Sequence, residues 1–209
     1  MAQKADISDA QIESADKNDP GLKKATSLLQ SVVKEKTGIQ FPLSKNKFQR
    51  KNPLIYLGTQ NKPSILPQNV KAFLDTLRPT GKEGFKVLFS PDEKIIVIEG
   101  NDDRGVLYGA GYLLRKLEMR KGSVQVQEGL AISSTPAYPI RGHQMGYRPK
   151  TNAYDAWTID QFDHYIRDLA IFGANSIEIV PPRTDDDASS PNMKLPAIQM
   201  ISEQSRKGF

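Results

Sequence analysis

Phe85-Lys-Val-Leu-Phe-Ser-Pro-Asp-Glu-Lys-Ile-Ile-Val-Ile-Glu-Gly-Asn-Asp-Asp-Arg-Gly-Val-Leu-Tyr-Gly-Ala-Gly-Tyr-Leu-Leu114 decides the architecture of this chain. Residues 85–89 and 94–99 are β-rich runs, and Ser90-Pro91-Asp92-Glu93 between them is turn chemistry, so the stretch opens as a hairpin. Asn101-Asp102-Asp103 then caps a helix from Arg104 to about Met119, with Val106, Leu107, Ala110, Leu113, Leu114 and Leu117 inward. Gly105, Gly109 and Gly111 fall inside that helix rather than before it, and their spacing is not that of a phosphate loop. Close packing of helix on sheet is the role expected of them.

Working outward toward the N-terminus, Pro67 to Leu77 reads as a helix with Val70, Phe73, Leu74 and Leu77 on one face. Residues 53–58, Pro-Leu-Ile-Tyr-Leu-Gly, read as a short buried strand. Asp19-Pro20-Gly21 opens a helix, because Asp caps and Pro at the first position lacks only an N–H that would be orphaned anyway. Leu22, Ala25, Leu28, Leu29, Val32 and Val33 follow at helical spacing, and Gly38 stops it. Residues 1–18 are polar and aperiodic, and are expected to be a disordered or frayed terminus. Toward the C-terminus, Ser123-Val-Gln-Val-Gln127 alternates like an edge strand. Residues 19–135 therefore read as one α/β layer domain, helices on a mixed sheet.

The character changes after Ser133-Ser-Thr-Pro136. Tyr138 to Arg148 reads as strand then loop, and Thr158-Ile-Asp-Gln161 is a capping box that starts a helix ending at Gly173. That helix presents Ile159, Phe162, Ile166, Leu169 and Ala170. Residues 175–180 form a second strand, 181–187 a loop, and Leu195 to Lys207 a further helix. The order βαβα, with crossovers long enough for parallel pairing, makes residues 136–209 a separate unit.

Composition narrows the chemistry. The 209 residues are 38% hydrophobic and 25% charged, enough apolar surface for a core. The absence of cysteine excludes a disulfide scaffold, a thiolate metal site and a thiol nucleophile, and two histidines do not make a His-rich metal centre. No apolar run approaches the roughly 18 residues of a membrane span. The start, Met-Ala-Gln-Lys-Ala-Asp, has no apolar signal core, which leaves a cytoplasmic protein or one whose signal has been removed. The net charge of +5 is spread thinly: residues 1–135 hold 21 basic against 15 acidic side chains, and 136–209 hold 8 against 9. Pairs such as Lys23-Lys24 and Arg120-Lys121 alternate with acids, which is solvated surface rather than a nucleic-acid stripe.

Asp102 to Leu114 resembles the glycine-led helix of the small α/β domain that precedes the catalytic barrel in family 20 hexosaminidases and in α-glucuronidases. Pro136-Ala-Tyr-Pro-Ile-Arg-Gly142 resembles the aromatic-x-x-Arg-Gly entry to the first barrel strand of family 20 β-N-acetylhexosaminidases. Residues 173–180 followed by Thr184-Asp-Asp186 are similar to that family's second strand and its Thr-Asp-Asp loop. The chain departs from the family pattern at Gly146, where an Asp is usual, and at Pro149, where an Arg is usual and Arg148 stands one place early. The resemblance implies an accessory α/β domain followed by the first two βα units of a TIM-type (β/α)-barrel. It implies hydrolysis of O-glycosyl bonds in carbohydrate, by two carboxylic side chains or by one acid with the substrate's acetamido group. It implies no metal or organic cofactor and suggests a periplasmic or secreted location. The family's acid/base pair lies on the fourth strand; a full barrel takes about 250 residues, and residues 136–209 number 74. The chain therefore reads as the front end of such an enzyme, without its catalytic carboxylates.

Arg141 is the first substrate-binding candidate, since its counterpart in the family binds sugar hydroxyls and a guanidinium offers fixed paired donors. Its alternative is a structural bridge between domains. His143 either lines a pocket mouth or is a satisfied structural histidine. Tyr147, Tyr154 and Trp157 follow the first strand and either stack a sugar ring or pack their own loop. Asp185, Asp186 and Asp187 follow the second strand, on the rim where barrel chemistry is built, either contacting sugar, pairing with Arg148 or Arg183, or forming a solvated turn. Glu178 lies inside the second strand and points either into a barrel or out at its helices. The competing reading is a non-catalytic carbohydrate-binding or interaction module, with self-association through an incomplete barrel.

Overall fold

A computed structural model describes residues 3–44, 52–61, 66–145 and 158–179. It divides the chain into two units, Met1–Ala137 and Tyr138–Phe209. In the first, strands β1 (Lys4–Asp6) and β2 (Gln11–Ser14) precede helix α1 (Pro20–Thr37) and strand β3 (Leu54–Thr59). Helix α2 (Gln68–Thr76), strands β4 (Phe85–Ser90) and β5 (Ile95–Gly100) and helix α3 (Asp103–Lys116) follow. Strands β6 (Glu118–Arg120), β7 (Ser123–Gln127) and β8 (Ala131–Ser134) complete it.

The quoted hairpin is the centre of the sheet. β4 pairs antiparallel with β5 from Phe85↔Gly100 to Ser90↔Ile95. Lys94 adopts φ 49° and donates its N–H to Pro91 O at 3.1 Å, closing the turn. β3 lies parallel to β5, β2 parallel to β3, and β8 antiparallel to β4, giving a five-stranded mixed sheet of order β2-β3-β5-β4-β8. Because side chains alternate along a strand, each central strand feeds both faces. Leu54, Tyr56, Leu88, Ile95 and Val97 pack with Val70 and Leu74 of α2 on one face. Helices α1 and α3 pack against each other and cover the other face, where Ile55, Leu57, Val87, Ile96 and Ile98 are fully or almost fully buried.

The helix ends follow their caps. Asp19 accepts the N–H groups of Gly21 and Leu22 at 2.8 and 3.1 Å, and Gly38 ends α1 in the left-handed region at φ 77°. Asp102 Oδ1 accepts the Gly105 N–H at 2.8 Å and caps α3. The α3 glycines serve close approach: a Cβ on Gly109 would stand 2.6 Å from Ile98 Cγ2, and one on Gly105 only 2.2 Å from Gly84 O.

Four expectations need correction. Residues 4–14 are not a frayed terminus: β1 pairs with β7 and β2 with β3, and Ile7, Ala10 and Ile12 are buried. Their partners are distant in sequence, so no local periodicity announces them. Ser123–Gln127 is not an edge, because β1 and β6 pair on its two sides in a three-stranded sheet. The α3 helix stops at Lys116 rather than Met119, because Leu117 turns extended and residues 118–127 form a β6–β7 hairpin around Gly122 at φ 73°. Phe73 does not share the buried face of α2; it is 50% exposed, while Val70 and Leu74, one turn apart, carry the packing. The helix expected at 195–207 lies outside the described residues.

Candidate functional site

The second unit holds strand β9 (Gly142–Met145), helix α4 (Ile159–Ile171) and strand β10 (Ser176–Ile179). Thr158 and Gln161 close the expected capping box: Thr158 Oγ1 accepts the Gln161 N–H, and Gln161 Oε1 accepts the Thr158 N–H at 2.8 Å. Phe162, Ile166 and Ile171 are its buried residues, and Gly173 at φ 90° turns the chain back. β9 and β10 pair parallel, Ser176↔Gly142 through Ile179↔Met145, so β9-α4-β10 is one βαβ crossover.

Arg141 stands at the entry of β9, at the amino end of the parallel pair. Its Nε donates to Gly173 O at 2.8 Å and its Nη1 to Tyr138 O at 2.9 Å. Its own N–H is accepted by Asn175 Oδ1 at 2.8 Å, and Asn175 Nδ2 donates to Pro139 O at 2.8 Å. The guanidinium thus fastens the 138–141 segment to the turn after α4. Chemistry on parallel βα units is built at the carboxyl ends of the strands, and this residue sits at the opposite end.

His143 points toward α4. Its Nε2 lies 3.0 Å from Tyr165 Oη and the two rings meet edge to face, 5.6 Å between centroids. Alternation then puts Gln144 on the other face of β9, and its register partner Glu178 on that same face of β10. Both are exposed. Glu178 therefore points away from α4, the orientation that sequence alone left open. A single amide in a strand carries no motif, so nothing in the sequence marks Gln144. Tyr147, Tyr154, Trp157, Asp185, Asp186 and Asp187 lie outside the described residues.

In the first unit, an open groove of about 660 Å³ lies beyond the carboxyl ends of β3 and β5, lined by Thr59, Asn61, Lys82, Glu83, Asn101, Asp102, Asp103 and Arg104. Glu83 has φ 58° and is held on both sides. Its N–H donates to Asp102 Oδ2 at 2.8 Å, and its carboxylate accepts from Arg104 Nη1 at 3.0 Å. That hydrogen bond pushes the Arg104 guanidinium above its ordinary value. The groove is assembled from separate loops, so no contiguous motif signals it. Asp102 is committed to the cap of α3 and the Glu83 carboxylate to Arg104. Among the described residues no cluster of three His, Asp or Glu side chains converges to hold a metal ion. No helix among them is long and apolar enough to cross a membrane.

A two-faced α/β layer unit is thus followed along the chain by a parallel βαβ unit. The model for the glycosyl hydrolase family 67 N-terminus matches residues 2–113, more than half of the 209 residues, and the chain belongs to that family. No curated protein matches it. Among solved structures it is similar to CpGH84B, at 15% identity over 99% of this chain and 33% of that one, with a TM-score of 0.63. It is similar also to the GH20 exo-β-N-acetylglucosaminidase of Vibrio harveyi, at 15% identity over 87% of this chain and 23% of that one, TM-score 0.58. The GH20 β-N-acetylhexosaminidase of Streptomyces coelicolor A3(2) matches at 15% identity, covering 86% of this chain and 32% of that one, with a TM-score of 0.57. At that identity the likeness is one of fold. The chain spans a third or less of the length of each of these structures.

Proposed function

We propose that these residues are the front part of a glycoside hydrolase: an accessory α/β domain followed by the first βα units of a (β/α)-barrel that hydrolyses O-glycosyl bonds in carbohydrate. The observation that carries this reading is the parallel β9-α4-β10 crossover directly after a family 67 N-terminal domain. In a barrel, the strand face turned away from the helices becomes the interior. Gln144 and Glu178 then line the inside near the rim, and Tyr147, Trp157, Asp185 and Asp186 follow the strand ends in sequence, where sugar contacts are made. Arg141 acts beneath them as a positioning residue, and His143 braces α4 on the outside. The acid and its partner carboxylate belong to later strands, and the accessory domain supports the barrel without touching the scissile bond.

The coding sequence past the Phe209 codon tests this. Further βα units with an Asp/Glu pair near a fourth strand, and turnover of aryl glycosides by the longer product but not by residues 1–209, are the expected results. A frame that supplies no further units, or turnover by residues 1–209 alone, overturns the proposal.

A further inference from the structure

The groove at the carboxyl ends of β3 and β5 lies where the connections of the sheet part. From β3 the chain passes to α2, which packs on one face. From the adjacent, parallel β5 it passes to α3, on the other face. Connections that diverge to opposite faces leave a crevice between the two strand ends, and in open α/β sheets ligands bind there. The groove, at about 660 Å³, has the size of a small-molecule site. Thr59 ends β3 and Asn61 follows it, while residues 101–104 follow β5.

Its walls are fixed to one another. The Gln60 N–H donates to Gly100 O at 3.0 Å, and Gln60 Nε2 donates to Thr80 Oγ1 at 3.1 Å. The Asn101 N–H donates to Gly84 O at 2.9 Å. The end of β3, the 80–84 loop and the end of β5 are thereby joined. Glu83, in the left-handed region at φ 58°, is a strained position that Asp102 and Arg104 hold in place.

The lining selects the class of ligand. It holds no aromatic or apolar side chain, so a lipid or a nucleobase has nothing to pack on. The carboxylates of Glu83, Asp102 and Asp103 outnumber the cations Lys82 and Arg104, so a phosphate or sulfate meets a net negative wall. Asp102 is committed to the cap of α3 and Glu83 to Arg104, and the Asp103 side chain lies against Gly21 of α1. What remain are the amides of Asn61 and Asn101, the Lys82 ammonium and the hydroxyl of Thr59, which at 7% exposed lies at the base. Amides and hydroxyls both donate and accept, which is what the hydroxyls of an uncharged sugar require. We infer that this groove binds a short uncharged saccharide, held by Thr59, Asn61 and Asn101, without cleaving it. The place of the site follows from the fold; naming its ligand a saccharide rather than another polyol rests on the hydrolase reading.

Amide chemical shifts of the 209-residue chain, titrated in turn with cellobiose, xylobiose, N,N′-diacetylchitobiose and inorganic phosphate, test the inference. Saturable shifts at Thr59, Asn61 and residues 101–104 are expected with at least one of the disaccharides, and the tightest of them identifies the ring substituents preferred. Asn61→Ala and Asn101→Ala should each weaken binding about three- to tenfold, the loss of one hydrogen bond. Shifts with phosphate alone, no shifts with any disaccharide, or shifts centred on other residues overturn the inference. So does binding that either variant leaves unchanged. Should Asn101→Ala not fold, Asn61→Ala, at an exposed position, still decides. A failure here leaves the hydrolase reading standing, because the coding sequence past the Phe209 codon decides that one separately.

Discussion

Arg141 and Asn175 grip each other's main chains: Asn175 Oδ1 accepts the Arg141 N–H at 2.8 Å, and Arg141 O accepts the Asn175 N–H at 2.9 Å. With the Nε and Nη1 bonds to Gly173 O and Tyr138 O, this clasp ties the entry of β9 to the start of β10. It fixes the register in which Gln144 and Glu178 share a face, and a slip of one residue in either strand would turn that strand's member of the pair toward α4. Lysine cannot reproduce the fork, because its single ammonium has no planar pair of donors. Arg141→Lys and Asn175→Ala should each cost about 1–3 kcal/mol of local stability. Hydrogen exchange of the β9 and β10 amides should accelerate about tenfold or more in either variant, with the β3–β5 amides unchanged. Unaltered exchange in β10 would show that the clasp carries no weight.

The α3 glycines differ in what they touch. A methyl on Gly109 would meet the end of Ile98 at 2.6 Å, a side chain that can turn aside. A methyl on Gly105 would meet Gly84 O at 2.2 Å and Gly100 Cα at 3.2 Å, which are backbone and cannot. Gly109→Ala should cost about 1–2 kcal/mol and Gly105→Ala about 3 kcal/mol or more, read from urea unfolding. Gly129, with open space around it and no left-handed φ, should accept alanine with a gain of about 0.4–1 kcal/mol.

Asp102 serves two donors at once, Oδ1 for the Gly105 N–H and Oδ2 for the Glu83 N–H, both at 2.8 Å. Asp102→Ala should therefore exceed a simple cap deletion and cost about 2–3 kcal/mol. Asn has one acceptor oxygen, so Asp102→Asn would set an amide N–H against one of the two backbone donors. It should recover little of the loss. Recovery to the stability of the unmodified chain would mean that the Glu83 bond is immaterial.

What could be read in advance divides along the range of the interactions. The hairpin at 85–99, the Asp19 and Asp102 caps and the Thr158–Gln161 box are local patterns, each settled within a few residues, and the sequence shows them. β1, β2 and β8 are short, and their partners lie 40 to more than 100 residues away, as in Lys4↔Gln127. Nothing local marks a strand whose stability comes from the far side of a sheet. The same limit applies to the candidate site. Arg141 and His143 stand out by type and position, yet their partners Asn175, Gly173 and Tyr165 emerge only once β9-α4-β10 closes. Gln144 and Glu178 become neighbours only through parallel register.

Tyr56 supplies a test by pH. Burial, then the Glu13 and Glu99 charges, push its phenol up from 10 to about 12. Between those values the unfolded chain releases this proton while the folded one keeps it, so stability present below pH 10 is lost as the pH rises toward 12. Glu99 acts in the same sense in its own range, because burial raises its carboxyl despite Lys86. Stability should thus decline as pH rises from the ordinary carboxylate value, and Glu99→Gln should flatten that slope. In an absorbance titration of the folded chain, the Tyr56 phenol should ionise only near pH 12. Tyr56→Phe should remove that late step and the stability loss above pH 10 together. A late step that persists in Tyr56→Phe would place the late-ionising phenol elsewhere.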